Sequence, residues 1–431
     1  EPGRMFRVDM EKGRIIPDEE IKNEIATQQP YGEWLEENLV SLDALPETEA
    51  EKPEPETRTL RQRLFGYTME DLNHLLGPIA KNGIETTGSM GTDTPLAVLA
   101  ETPQMLYNYF KQLFAQVTNP PLDAIREECI TSLLTNIGAG QDLFAETPTH
   151  CQQLKVEQPI LTNEAMAKLK ALDQDGLKPI TLPILYSVAA GGKGLQRALA
   201  ELCKKASEAI ETGHTFLVLS DRNADQKKAP IPALLATSAV HHHLIRKLQR
   251  NRCALIVESG EPREVHHFAT LFGFGAGAVN PYLVYETLDG MIEDGILEDI
   301  SLQKASKNFL KGVNKGMLKT MSKMGISTLH SYRGAQIFEA IGISSKVMEK
   351  YFTGAASRIG GIDLEGIATE VAARHSKAYP TRKIPHTLPL EPGGAYKWRR
   401  NGEDHILNPL AVSKLQEAAR TDNIDRYREF A

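Results

Sequence analysis

Thr215-Phe216-Leu217-Val218-Leu219 runs without a polar break into Ser220-Asp221-Arg222, and Cys253-Ala254-Leu255-Ile256-Val257 runs the same way into Glu258-Ser259-Gly260. A strand with one solvated face alternates polar and apolar residues, so two continuous apolar runs point to a parallel sheet covered by helices on both faces. Working outward, residues 231–250 read as the helix between these strands. Upstream, the run Ile180-Thr181-Leu182-Pro183-Ile184-Leu185 and a Gly191-Gly192 turn precede Leu195, Ala198, Leu199, Leu202, Ala206 and Ala209 at helical spacing. Downstream, residues 264–274 read as helix and 276–279 as a short apolar strand before Asn280-Pro281. A Lys-rich helix follows over about 306–324, leading to Ile326-Ser327-Thr328-Leu329. The repeated strand-then-helix order predicts an α/β protein built from βα units, either a doubly wound sheet or a (β/α) barrel. At least five such units within about 200 residues favour a barrel-like, degenerate TIM-barrel topology. Asp221, Glu258, Asn280 and Tyr332 then stand at strand ends on one rim.

The chain has 431 residues, 41% hydrophobic, 24% charged and 6% aromatic, which fits a globular protein and excludes collagen-like or wholly disordered classes. Lys+Arg 49 against Asp+Glu 56 gives a net charge of −7. That balance argues against a sequence-independent nucleic-acid binder or an acidic-lipid binder. No apolar run reaches the ~20 residues of a membrane helix, so no membrane association is expected. Glu1-Pro2-Gly3-Arg4 is neither an initiator start nor a signal peptide, and the sequence reads as cut from something longer. Cys129, Cys151, Cys203 and Cys253 show no CxxC spacing, which excludes a local zinc or iron-sulfur motif. Reduced thiols suit a cytoplasmic location, or a plastid stroma.

Met5-Phe6-Arg7-Val8-Asp9, a Gly13 turn and Arg14-Ile15-Ile16 read as a hairpin, with Asp18 capping the next helix. The Pro-rich, acidic stretch over 41–60 reads as a solvated linker.

Each chemical motif has a plain alternative. His241-His242-His243 point about 100° apart on a helix and do not converge on one ion, so packing is expected there and at His266-His267. Gly191-Gly192-Lys193-Gly194 lies at a strand-to-helix turn where backbone N–H groups can cradle phosphate, but it departs from the GxxxxGK[ST] pattern. Gly273-Phe274-Gly275-Ala276-Gly277 precedes a strand, the wrong side for a dinucleotide loop. Asp221, Arg222 and Glu258 can form a rim site for an autonomous barrel enzyme or a structural ion network. Lys304, Lys307, Lys311, Lys315, Lys319 and Lys323 form one broad helical face, which suits either solvent or an acidic electron carrier.

Several longer phrases carry a resemblance. They are Gly13-Arg14-Ile15-Ile16, Pro30-Tyr31-Gly32-Glu33-Trp34-Leu35, Gly88-Ser89-Met90-Gly91-Thr92-Asp93-Thr94-Pro95-Leu96 and Phe114-Ala115-Gln116-Val117-Thr118-Asn119-Pro120-Pro121. Leu219-Ser220-Asp221-Arg222, the stretch 273–281, Lys323-Met324-Gly325-Ile326 and Ser331-Tyr332-Arg333-Gly334-Ala335-Gln336 belong with them. Together they resemble the glutamate synthase large-subunit family nearly end to end. The resemblance implies an enzyme that moves ammonia from glutamine to 2-oxoglutarate and reduces the product to L-glutamate, with electrons from ferredoxin or an NADPH-oxidising subunit. It implies that 1–40 is the tail of the glutaminase (amidotransferase) region, 41–60 the linker, 61–400 a central α/β domain, and 401–431 the start of the FMN-binding synthase region. The family's catalytic cysteine and clustered iron-sulfur cysteines have no counterpart here. The implied role is therefore non-catalytic, without bound cofactor or metal. FMN and the iron-sulfur cluster belong to the full-length enzyme, and Met90, Thr118 and Asn119 help line an ammonia path between the flanking domains.

Overall fold

The computed structural model describes residues 3–51, 54–88, 91–113, 122–380 and 389–431. The two apolar runs form the middle of one parallel sheet. Its strands are β1 (Pro179–Pro183), β2 (Phe216–Ser220), β3 (Ala254–Glu258) and β4 (Ala278–Asn280), in spatial order β4-β3-β2-β1. Every residue of β2, β3 and β4 is buried. Successive side chains point to opposite faces, and each face has its own core. Phe216, Val218, Ala254 and Ile256 pack with Leu154, Leu161 and Met166, while Leu217, Leu219, Leu255 and Val257 join the larger cluster on the other face. Burial on both faces is the reason that these strands do not alternate in sequence.

The helices follow as the periodicity indicates. They are α1 (Gly191–Glu211), α2 (Ala233–Arg246), α3 (Val265–Gly273), α4 (Tyr282–Glu293), α5 (Leu302–Met324) and, further on, α6 (Leu364–Ala378). In α1, Leu195, Leu199, Leu202, Ala206 and Ala209 are buried, and Gly191 and Gly192 open the helix rather than forming a separate turn.

The barrel-like, degenerate TIM-barrel arrangement expected from the sequence does not appear among the described residues. A second parallel pair, β5 (Phe338–Ile343) with β6 (Ala356–Ile362), belongs to a separate three-stranded sheet whose third strand, Phe110–Gln112, is antiparallel. Beyond β4, the four-stranded sheet gains only an isolated bridge between Ile160 and Val279. The apolar run at 326–329 makes no strand of the sheet. Thr328 caps the short helix Leu329–Tyr332, and the Ser327 carbonyl accepts the Ser132 N–H at 2.8 Å. Tyr332 is consequently buried in that helix and does not stand on the rim, whereas Asp221, Glu258 and Asn280 do follow or end neighbouring strands. Local patterning specifies parallel strands; closure depends on which edges meet.

At the start of the chain, Arg7–Asp9 pairs antiparallel with Arg14–Ile16, with Val8 opposite Ile15. Asp18 is the first helical residue and not the cap, a position taken by Pro17; its carboxylate accepts the Met5 N–H at 2.7 Å and pairs with Lys22 at 2.7 Å. Within the acidic stretch, Leu42 and Leu45 are buried against the second core, and a helix begins at Arg58.

Candidate functional site

Met90, Thr118 and Asn119 lie outside the described residues. The described site residues fall instead into two buried networks at the strand ends and a latch that holds the exit segment.

The first network stands at the C-terminal ends of β2 and β3. Glu258, 2% exposed, takes Lys170 Nζ on both oxygens at 2.7 Å, Ser220 Oγ at 2.6 Å and Arg222 Nε at 2.9 Å. Arg222 also reaches Glu286 at 3.4 Å and lies 3.9 Å over the Tyr282 ring; Glu286 pairs on with Arg61 at 2.8 Å. Burial opposes ionisation of Glu258, but Arg222 and then Lys170 hold its pKa below the ordinary glutamate value. Asp221 behaves oppositely. At 1% exposure it accepts from Ser259 Oγ, from Gly260 N at 3.1 Å and from Tyr282 Oη at 2.8 Å, and it has no cation of its own. Desolvation dominates and pushes its pKa up to about 7.

Two carboxylates with diverging pKa values can mark an acid/base pair. A cavity of about 510 Å³ lies alongside, lined by Asp221, Arg222, Tyr282, Phe65, Arg61 and Glu51 among others. The charged groups, however, are spent on one another: Arg222 is held by Glu258 and Glu286, and both Asp221 oxygens already accept hydrogen bonds. That arrangement braces strand ends and leaves none of Asp221, Arg222 and Glu258 free to serve as the acid or base of the autonomous-enzyme reading.

It does predict a pH dependence. The Asp221 carboxyl titrates near 3.8 when exposed and near about 7 when folded. The unfolded chain therefore loses this proton first, and the stability contribution, complete below pH 3.8, is lost as pH rises toward 7. Burial likewise raises Glu264 to about 7, adding a loss of the same sign. Between about pH 4 and 7 the folding stability should fall, with Asp221 contributing on the order of 4 kcal/mol over its whole window. Asp221→Asn retains acceptors for Gly260 and Tyr282 and should reduce the slope of urea stability against pH, leaving the part due to Glu264.

The glycine and histidine motifs resolve into packing. The start of α1 is occupied by the chain's own carboxylate, since Gly192 N donates to Glu365 Oε2 at 3.0 Å. A Cβ at Gly192 would stand 2.7 Å from the Glu365 Cα. The anion-friendly helix start therefore serves to hold α6 rather than phosphate. His241, His242 and His243 do not share a ligand: His241 accepts from Arg250 Nε at 2.9 Å and His243 meets Ser207 Oγ at 3.0 Å. His267 is buried, stacked 4.4 Å from Tyr107. Among the described residues no group of three or more His, Cys, Asp or Glu is arranged to hold a metal ion. Lys304, Lys307, Lys311, Lys315 and Lys319 are exposed along α5 and Lys323 is half-buried; Lys315 stands 3.6 Å from Glu128.

The second network braces the start of the domain. Buried Arg263 stands 3.3 Å from Asp71, donates to the carbonyls of Phe65, Gly66 and Glu261, and lies 4.3 Å over the Tyr67 ring.

The exit latch was not anticipated from the sequence. Glu70, 3% exposed, receives four consecutive backbone N–H groups: Gly394 at 2.8 Å, Ala395 at 2.6 Å and Tyr396 at 3.2 Å on Oε2, and Lys397 at 3.0 Å on Oε1. Gly393 and Gly394 have φ of +85° and +113°, and a Cβ on Gly393 would come within 2.7 Å of Thr68 Oγ1. The run of N–H groups forms a nest around a carboxylate, and glycine supplies its positive φ. A second tie joins Asp93 to His405 Nδ1 at 2.7 Å and to the Leu407 N–H at 2.9 Å, while His405 Nε2 faces the Gly394 carbonyl at 2.6 Å. Burial works against charging His405, but Gly394 and Asp93 raise its pKa above the ordinary histidine value. With an acceptor at each nitrogen, the doubly protonated ring fits. Asp93 stands in a stretch singled out for its resemblance, and His405 in the segment 401–431 that the resemblance implies to be the start of the synthase region. Glu70 carries no such signal, because an acid near a helix start is commonplace.

Comparison with known proteins places these features in a family. A family model described as "Glutamate synthase central domain" matches residues 60–344, and one described as "Glutamine amidotransferases class-II" matches residues 1–34. The chain is 47% identical over 430 residues to the glutamate synthase [NADPH] large chain of Bacillus subtilis, covering 100% of this chain and 28% of that one. It is 40% identical over 445 residues to the glutamate synthase [NADH] of Schizosaccharomyces pombe, covering 100% and 21%. To the chloroplastic ferredoxin-dependent glutamate synthase of Spinacia oleracea it is 38% identical over 442 residues, covering 100% and 27%. The chain thus spans 21% to 28% of the length of these curated relatives. Among solved structures, the flavin-binding domain of baker's yeast flavocytochrome b2 aligns with 68% of this chain and 94% of its own, at 10% identity and a TM-score of 0.33, too low to bear on the fold. No helix among the described residues is long and apolar enough to cross a membrane. With the family model matched across residues 60–344 and relatives aligned over the whole sequence, the chain belongs to the glutamate synthase central domain family.

Proposed function

We propose that this chain is the non-catalytic middle of a glutamate synthase, which holds two active sites in register and lines part of an ammonia path between them. Residues 1–40 end a glutaminase region, 41–60 link it to the central domain at 61–400, and 401–431 begin the synthase region. The full-length enzyme would form L-glutamate from glutamine and 2-oxoglutarate, with FMN and an iron-sulfur cluster in the synthase region and electrons from ferredoxin or an NADPH-oxidising subunit. A cytoplasmic or plastid-stromal setting accords with this chemistry.

The exit latch is the observation that best supports a connecting role. Four backbone N–H groups on one buried carboxylate hold the segment leading out of the domain, so a direction imposed by the core is transmitted to whatever follows. The last two helices, Pro409–Thr421 and Ile424–Phe430, leave Leu410, Ile424 and Tyr427 exposed, as a face awaiting a neighbouring domain would. Ammonia is mostly protonated in neutral water and loses its nucleophilicity, so transfer between two sites requires a sheltered route. Met90, Thr118 and Asn119 are assigned to its lining, with polar groups that hydrogen-bond neutral ammonia.

In the full-length polypeptide, Thr118→Val should raise the ratio of glutamine hydrolysed to 2-oxoglutarate converted above one, as ammonia escapes. Glutamine hydrolysis by the 431-residue chain alone, or its copurification with stoichiometric flavin, would overturn the non-catalytic reading.

A further inference from the structure

His405 joins the exit segment to Asp93, 312 positions earlier in the chain. Its side chain, 7% exposed, sets Nδ1 against Asp93 Oδ1 at 2.7 Å and Nε2 against the Gly394 carbonyl at 2.6 Å. A neutral imidazole carries one N–H, so it satisfies one of these oxygens and turns a lone pair on the other. Only the imidazolium donates to both. The backbone is pinned on either side of the ring: the Ile406 N–H bonds the Asp93 carbonyl at 3.2 Å, the Leu407 N–H bonds Asp93 Oδ2 at 2.9 Å, and the Glu403 N–H bonds the Gly393 carbonyl at 3.2 Å. Loss of the proton therefore costs one of the two ring contacts.

The Gly394 carbonyl belongs to the same peptide group as the Ala395 N–H, which donates to Glu70 Oε2 at 2.6 Å. That single peptide stands between a carboxylate at its N–H and an imidazolium at its C=O. Each partner polarises the group in the sense that strengthens the bond to the other. The Glu70 nest and the His405 tie are thus one network rather than two independent fastenings.

The surrounding charges favour the proton. Burial opposes it, but the Gly394 carbonyl, Asp93 and then Glu70 raise the His405 pKa above the ordinary histidine value. Asp93 is itself held below the ordinary carboxylate range, by the Leu407 N–H first and then by His405, so it stays ionised while the ring titrates. Other charged groups of these segments have partners of their own. Arg399 donates to His74 Nε2 at 2.9 Å, and Glu403 accepts from Thr102 and, at 3.3 Å, from Gln104 Nε2. Glu264, whose pKa burial pushes up to about 7, bonds the Tyr396 side chain at the nest.

We propose that His405 is the proton-dependent part of the exit latch: charged, it ties Asp93 to the exit segment and tightens the grip of Glu70; neutral, it gives up one acceptor and loosens both. The proton is bound more tightly in the folded latch than in the free chain. Its contribution is therefore complete below the ordinary histidine value of 6.5 and is lost as pH rises through the raised one. The direction in which the chain leaves the domain is in this way fixed at neutral pH and released in mild alkali. The clasp does not rest on the ammonia-transfer reading.

The test is amide exchange of the full-length polypeptide between about pH 6 and 9, read as protection relative to the intrinsic rate at each pH. Protection at 394–397 and at Leu407 should fall about tenfold across this range, the weight of one hydrogen bond to a charged group, while the amides of β2 and β3 keep theirs. His405→Gln should be weakly protected throughout and remove most of the change, the remainder belonging to Glu264 and His74. Asp93→Asn keeps one oxygen but not the charge, and should move the loss of protection to lower pH. Wild-type protection that does not vary with pH, or that varies equally in His405→Gln, overturns the proposal. So does a midpoint that Asp93→Asn leaves in place.

Discussion

Replacing Glu70 with Gln should release the exit segment while leaving the central sheet folded. The native carboxylate presents two negatively charged oxygens to four N–H groups at 394–397. Glutamine keeps the size and one oxygen, but its NH₂ turns a donor toward at least one N–H and removes the charge. Hydrogen bonds to a charged group are worth about 1.5–3 kcal/mol each and are not additive here, so a net local loss of about 3 kcal/mol is expected. Converted at 1.4 kcal/mol per decade, that is roughly a hundredfold faster amide exchange at 394–397. The amides of β2 and β3 should keep their protection. Unchanged exchange at 394–397 would show that the Asp93–His405 tie suffices to hold the segment.

Arg263→Met should be the most destabilising of these substitutions. Arg263 is 5% exposed, and removing its guanidinium leaves Asp71 charged and buried while withdrawing a donor from the carbonyls of Phe65, Gly66 and Glu261. Breaking a buried ion pair from one side costs about 3–5 kcal/mol because the remaining charge is uncompensated. Adding Asp71→Asn to Arg263→Met should recover part of this loss, since the residual charge disappears while the acceptor for the Thr68 N–H is kept. Urea unfolding of the two single variants and the double variant measures the coupling. Strict additivity would mean that the pair contributes packing rather than charge.

Residues that act through neighbours in the chain were legible in the sequence; those that act across the fold were not. Leu217, Leu219, Leu255 and Val257 announce a doubly covered strand by hydrophobicity alone, and the structure buries them all. The Asp221 and Glu258 positions at adjacent strand ends followed from that reading. Their opposite titration did not, because it depends on Lys170 and Arg222 reaching one carboxylate and not the other. The glycine start of α1 looks like a phosphate cradle in sequence, and only the approach of Glu365 from α6 shows that the position is filled.

What the sequence determined by itself is the family and the parallel strand-helix order, since long matching phrases and apolar periodicity are properties of consecutive residues. Tertiary structure decided that the described strands do not close into a barrel and that Glu70 clasps a segment more than three hundred residues away. Each is a contact between distant positions, and its energy depends on burial and on the sign of the neighbouring charge, neither of which local sequence specifies.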